Sequence, residues 1–157
     1  MKALIFYESF IGNTGKVAQA IADSLAPVAA VSAKAVGEFK PSDLQSIDWL
    51  IIGSSTRGFR PPSETQKFLS ALKPTSLEGK YISPFATRIE LDTIKSSLFH
   101  CLLNTAGYAA KSIARTLVKK GGVLNGEPQG FSVLGKEDPL VEGELEHAHN
   151  WVKTLIN

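Results

Sequence analysis

The sequence predicts a three-layer α/β fold, with a five-stranded parallel sheet between helices on both faces. Three observations carry that expectation. Apolar runs of strand length alternate with segments whose apolar residues recur at helical spacing. One run, Trp49-Leu50-Ile51-Ile52-Gly53, is apolar on both faces, as a central parallel strand must be. Polar, glycine-bearing loops follow successive strands, and the carboxyl ends of parallel strands are where such folds bind ligands.

The first strand is Ala3-Leu4-Ile5-Phe6-Tyr7, and Val17, Ile21 and Leu25 mark one face of the first helix. Between them runs Ser9-Phe10-Ile11-Gly12-Asn13-Thr14-Gly15-Lys16. Backbone N–H groups at a helix start lack internal partners and carry the positive end of the helix dipole. Ser9, Asn13 and Thr14 add side-chain donors, and no acidic residue between Ser9 and Lys16 repels an anion. The stretch therefore reads as a phosphate cradle, although the same residue types are also ordinary helix caps. Val17 after Lys16 rules out the GxxxxGK[ST] loop, and GxGxxG is absent as well.

Val28 to Val36 is a second strand, placed near a sheet edge by Lys34. Glu38 to Ser46 is a connector around Pro41-Ser42-Asp43. The Trp49 run empties into Ser54-Ser55-Thr56-Arg57-Gly58-Phe59-Arg60-Pro61-Pro62, a second loop at the same edge. Ser63 and Gln66 have capping-box spacing, and Phe68, Leu69 and Leu72 line one face of the next helix, which Pro74 ends. Lys80 to Phe85 is the fourth strand, although Pro84 is awkward inside a central strand. Ala86-Thr87-Arg88-Ile89 then forms a third loop at that edge. Beyond Glu90 to Thr105, the next helix carries Ala106, Ala110, Ile113 and Leu117 on one side. Val123 to Leu134, interrupted at Asn125-Gly126 and Pro128, supplies the fifth strand. A last helix after Pro139 carries Val141, Leu145, Ala148, Val152 and Leu155.

Length, charge and cysteine count narrow the classes. At 157 residues the chain is expected to form a single domain, 1–157, able to bury a core. A formal charge of +2 is too small and too evenly spread for a nucleic-acid surface. No apolar stretch is long enough for a membrane span, and no secretory leader is legible, so a cytoplasmic location is expected. Cys101 is the only cysteine, which excludes an internal disulfide and a cysteine metal cluster. His147 and His149 lie about 200° apart around a helix, a poor arrangement for sharing a metal. Glu142, Glu144 and Glu146 read as a solvated face and as first-turn charges.

Four segments, in order, resemble the flavodoxin family over nearly the whole length. Ser9-Phe10-Ile11-Gly12-Asn13-Thr14 is similar to the T/S-x-T-G-N-T loop that holds the phosphate of FMN. Ile51-Ile52-Gly53-Ser54-Ser55-Thr56, followed by Gly58, resembles the strand and loop flanking the flavin ring. Phe85-Ala86-Thr87-Arg88 resembles the F-D-T-R variant of the second ring-binding loop. Asp138-Pro139-Leu140-Val141-Glu142-Gly143-Glu144-Leu145 is similar to the G-P-L-x-x-G-E-L opening of the family's last helix. The fifth strand carries no long insertion, which implies the short-chain form. The sequence departs from the family at Ile11, where a hydroxyl residue is usual. No tyrosine directly follows the fourth strand to stack on the ring, leaving Phe59 and, more distantly, Phe99 or Tyr108, and the chain is mildly basic.

The resemblance implies strand order 2-1-3-4-5 and bound FMN, with electrons passed one or two at a time between redox partner proteins by a monomer or weak dimer. It implies a cofactor site of Ser9, Phe10, Ile11, Gly12, Asn13, Thr14, Ser54, Ser55, Thr56, Arg57, Gly58, Phe59, Ala86, Thr87 and Arg88. Gly58 matches the glycine whose peptide flips so that its carbonyl meets the N5 proton of the reduced flavin, a change cheap only for glycine. Arg57, Arg60 and Arg88 fall where acidic carriers hold carboxylates. A cation about 5 Å from the reduced ring would contribute up to about 3 kcal/mol at an effective dielectric near 20, so a less reducing flavin is expected. Two other readings stay open. One is an FMN-dependent NAD(P)H:quinone-type oxidoreductase. The other is a flavodoxin-like module that has lost flavin and serves as an interaction domain.

Overall fold

The computed structural model describes residues 1–56, 60–89, 109–135, 137 and 139–157. Strands β1 (Lys2–Tyr7), β2 (Ala30–Ala35), β3 (Trp49–Ser55) and β4 (Tyr81–Ile89) lie in the order β2-β1-β3-β4. The fifth position is shared by two short strands, β5 (Val123–Leu124) and β6 (Gln129–Val133), both parallel to β4. The predicted order 2-1-3-4-5 is therefore present, with its last strand broken where Asn125-Gly126 and Pro128 interrupt it. Helices α1 (Asn13–Leu25) and α4 (Glu144–Ile156) cover one face; α2 (Ser63–Ala71) and α3 (Ala109–Lys119) cover the other.

Alternation along β1 shows why two cores form. Ala3 and Ile5 pack with Val17, Ile21, Leu25 and Trp151 of α1 and α4, whereas Leu4 and Phe6 pack with Phe68, Leu69, Ile113 and Leu117 of α2 and α3. β3 is buried on both faces through Ser54, as its unbroken apolar run requires. β2 is the edge strand and largely exposed, and its Lys34 pairs with Asp43 at 3.3 Å. The connector between β2 and β3 contains two short 3₁₀ turns, Val36–Glu38 and Pro41–Leu44. Among the described residues, no helix is long and apolar enough to cross a membrane.

Pro84 is accommodated by the break in the fifth strand. Tyr81 N–H points to Asp48 O on the β3 side, and Ile82 O accepts from Asn125 N on the other. Backbone groups alternate sides along a strand, so the N–H that Pro84 lacks would have faced the gap between β5 and β6. Ser83 closes that gap from within the sheet. Its Oγ accepts the Trp49 indole N–H at 2.9 Å and donates to Asn125 O at 2.7 Å.

Three local expectations are corrected. Ala86 to Ile89 is not a loop: β4 continues through it, paired with β3 as far as Ser55↔Thr87 and with β6 from Phe85↔Gln129 to Ile89↔Val133. Ser63 makes no capping box, because Pro62 holds the cap position and the Gln66 side chain donates to Pro61 O. The last helix starts at Glu144, so its buried stripe is Ala148, Trp151, Val152 and Leu155, while Leu145 is exposed in the first turn. Ala106, Cys101, Phe99 and Tyr108 lie outside the described residues.

Candidate functional site

The carboxyl ends of β1, β3 and β4 meet at the point where strand order reverses between β1 and β3. There a cleft of about 360 Å3 opens, lined by the loop after β1, by Ser55 and Thr56, by Thr87 to Ile89, and by Val133. Of the residues singled out in the sequence, Ser9, Phe10, Ile11, Asn13, Thr14, Ser55, Thr56, Thr87 and Arg88 line this one cleft.

The loop after β1 turns into α1 through Gly12, whose φ of 93° is the left-handed conformation that glycine adopts freely. No acidic side chain occupies the first turn of α1. Ser9 Oγ accepts from Gly15 N at 3.3 Å, so its own proton remains available to an incoming acceptor. Thr14 and Thr87 are both buried, and their hydroxyl oxygens lie 2.9 Å apart. Thr87 also accepts Thr56 N–H on its carbonyl at 3.0 Å, so this one β4 residue joins the α1 loop to the end of β3. Phe10 and Ile11 line the cleft yet stay about half exposed, at 53% and 49%. They form an apolar lip.

At the ring side the polar groups differ in status. Thr56 Oγ1 accepts from Ala109 N at 3.4 Å, and Ser54 is fully buried with its hydroxyl donating to Ser55 O. Ser55 Oγ is buried without a hydrogen-bond partner. A buried hydroxyl lacking a partner costs about 1–3 kcal/mol, which a ligand atom in the cleft would offset. Ala86 faces α3 and packs on Ala109 and Ala110. Arg88 lines the cleft and lies across Gly130, where a Cβ would come within 2.8 Å of Arg88 Nε. Arg60 is exposed, while Arg57, Gly58 and Phe59 lie outside the described residues.

Gly53 makes room for a buried ring near the end of β3. A Cβ there would sit 2.1 Å from the Phe85 ring, so only glycine lets that buried ring lie against β3.

Matched against family models, residues 4–127 fit the flavodoxin domain. The chain belongs to the flavodoxin family. Solved structures share the fold. Oxidised flavodoxin 2 from Bacillus cereus is 27% identical with a TM-score of 0.76, the match covering 99% of this chain and 98% of that one. The Streptococcus pneumoniae TIGR4 flavodoxin shares 21% identity at a TM-score of 0.76, over 99% and 98% of the two chains. A flavodoxin from the domain Archaea shares 20% at 0.74, over 97% and 94%. No curated protein sequence matches the chain.

Two acidic side chains have roles that the sequence did not assign to them. Glu8, 9% exposed, accepts from Thr65 N and Thr65 Oγ1, each at 2.7 Å, and so caps α2 from the loop after β1. An acidic residue directly after a buried strand was the available signal. Glu144, read as solvated, instead accepts Ser132 N–H at 2.9 Å and pairs with His147 at 3.4 Å, tying α4 to β6. His149 faces the opposite neighbour, Ser24 on α1. Among the described residues no group of acidic, histidine or cysteine side chains is arranged to hold a metal.

Proposed function

We propose that this chain binds FMN in the cleft and carries electrons between redox partner proteins. The observation that carries the reading is the pairing of two polar ends in one cleft. At one end is a helix start without acid in its first turn, and at the other is the orphaned hydroxyl of Ser55. The residues fit the group. Ser9, Thr14 and the first-turn amides of α1 would hold the phosphate, with the helix dipole favouring its charge. Ser55 Oγ would donate to or accept from the flavin edge.

Bound FMN would supply the one- and two-electron chemistry that protein side chains lack. The chain's part is to orient the ring and set its electrostatic surroundings. Thr87 keeps the α1 loop and the end of β3 in register through Thr14 and Thr56. Phe10 and Ile11 exclude water from one side of the cleft, and Arg88 places a cation on its wall. Gly58 and Phe59 keep the roles expected from the family resemblance, as flipping peptide and stacking ring.

The test is a titration of apo-protein with FMN and with riboflavin, followed by absorbance and fluorescence. FMN is expected to bind at least tenfold more tightly, because only it carries the phosphate. Equal affinities would remove the phosphate from the reading; no uptake of either would remove flavin altogether.

One observation favours a second reading. Phe10, Ile11 and Ile89 are apolar, line the cleft and are 53%, 49% and 41% exposed. That rim suits an apolar acceptor of the quinone class. NAD(P)H oxidation by the FMN-loaded protein with a soluble quinone separates the two: turnover supports the oxidoreductase, its absence the carrier.

A further inference from the structure

Glu8 bonds the end of β3, which leads into the cleft wall at Ser55 and Thr56, and also the start of α2. Its N–H donates to Gly53 O at 3.0 Å, and its carboxylate accepts from Thr65 N and Oγ1 at 2.7 Å each. Ser55 and Thr56 of the cleft wall follow closely on the first anchor, and Pro61-Pro62 precede the second. Thr65 is fully buried and Glu8 nearly so. A carboxylate on helix N–H groups makes charge-assisted bonds and meets the positive end of the dipole. Two helix starts therefore lie near this sheet edge in opposite conditions. That of α2 is filled by the protein's own carboxylate; that of α1 carries none in its first turn.

We propose that Glu8 is a positioning residue that fixes where α2 begins, and with it the ring-side wall of the cleft, while leaving the start of α1 to the ligand's anion. The inference rests on the FMN reading for its ligand, though not for its geometry. It divides binding in two. Contacts to the isoalloxazine ring depend on Glu8, and contacts to the phosphate do not.

The experiment uses the full chain and Glu8→Ala, Glu8→Gln and Glu8→Asp, titrated with FMN, riboflavin and inorganic phosphate, with hydrogen exchange at the Thr65 and Ile51 amides. In Glu8→Ala, FMN and riboflavin should both weaken by the same factor, roughly fivefold to tenfold, the size of a lost helix cap. Phosphate affinity should not change. Thr65 exchange should quicken by a similar factor while Ile51, in the sheet core, holds. Glu8→Gln keeps an oxygen acceptor for Thr65 N–H and should restore most of the loss. If Glu8→Ala does not fold, Glu8→Asp must show the shared loss instead, because its shorter arm withdraws the carboxylate from Thr65. A loss confined to FMN and phosphate would overturn the proposal, and so would unchanged flavin affinities. If the unmodified chain takes up no flavin, the FMN reading falls, and Thr65 exchange decides alone: equal rates with and without the Glu8 carboxylate would dismiss the positioning role.

Discussion

The hydroxyl oxygens of Thr14 and Thr87 lie 2.9 Å apart in a buried contact between the first turn of α1 and strand β4. One hydroxyl donates to the other, so the contact uses one proton and leaves the acceptor's own proton for the cleft. Residues 73 positions apart are thus held together by a pair that neither helical nor strand periodicity encodes.

That pair gives the first prediction. Replacing either threonine alone by valine strands a buried hydroxyl, which costs about 1–3 kcal/mol. Replacing both removes the two polar groups together and should cost less than the sum of the single changes by about 1 kcal/mol or more. Urea denaturation of the two single variants and the double variant measures the coupling. Additive losses would show that the hydroxyls do not depend on each other.

Ser83 gives the second. It accepts the indole N–H of Trp49, a side chain only 1% exposed, and passes a proton donor to Asn125 O at the break in the fifth strand. Ser83→Ala leaves both groups unpaired inside the sheet and should cost about 2–3 kcal/mol. A shift in Trp49 emission, resolved against Trp151 with a Trp151→Phe background, should accompany it. A loss under about 0.5 kcal/mol would mean that water reaches the break.

Most of the architecture was legible because it follows from periodicity. The both-faces-apolar run at Trp49 becomes a central strand, and Val17, Ile21 and Leu25 become a buried helix stripe. The errors fall where tertiary partners override local signals. Ala86 to Ile89 looks like a loop because Thr87 and Arg88 are polar, yet β3 and β6 supply ladder partners on both sides. Ser63 and Gln66 have capping spacing, but Glu8, distant in sequence, takes the capping task. Of the candidate site, the α1 loop was readable from its residue types. The Glu8–Thr65 and Thr14–Thr87 contacts were not, since nothing in sequence spacing brings those positions together.

Asp43 gives a prediction about pH. Its carboxylate accepts Lys40 N–H at 2.8 Å and pairs with Lys34 on the edge strand β2. The backbone bond first, then the Lys34 ammonium, holds its pKa below the ordinary carboxylate value, outweighing the opposing effect of burial. The folded-state pKa is depressed, so the stabilisation is full above the unfolded-state value near 4 and is lost as pH falls through the folded-state value. Asp43→Asn should be less stable than the unmodified chain at neutral pH, and the gap should close on acidification below about pH 4. Parallel stability curves across that range would rule the mechanism out.

Arg88 gives the last prediction, and it joins the site to the proposed chemistry. Its side chain lies on the cleft wall across Gly130, close enough that a Cβ on that glycine would press on Arg88 Nε. Adding electrons to a bound flavin adds negative charge, and a nearby cation favours that state. At about 5 Å and an effective dielectric near 20 the limit is about 3 kcal/mol. Partial exposure of Arg88 reduces this to about 1–2 kcal/mol, or roughly 40–90 mV for a one-electron step. Arg88→Gln should therefore lower the potential of the second electron by that amount, while Arg88→Lys keeps most of it. Gly130→Ala should displace the guanidinium without removing it and produce a smaller change. Spectroelectrochemical titration of the three FMN-loaded variants at low ionic strength decides the matter, because salt screens the effect. Identical potentials across the series would place the cation too far from the ring to act, and the basic cleft wall would then have to serve the docking of an acidic partner instead.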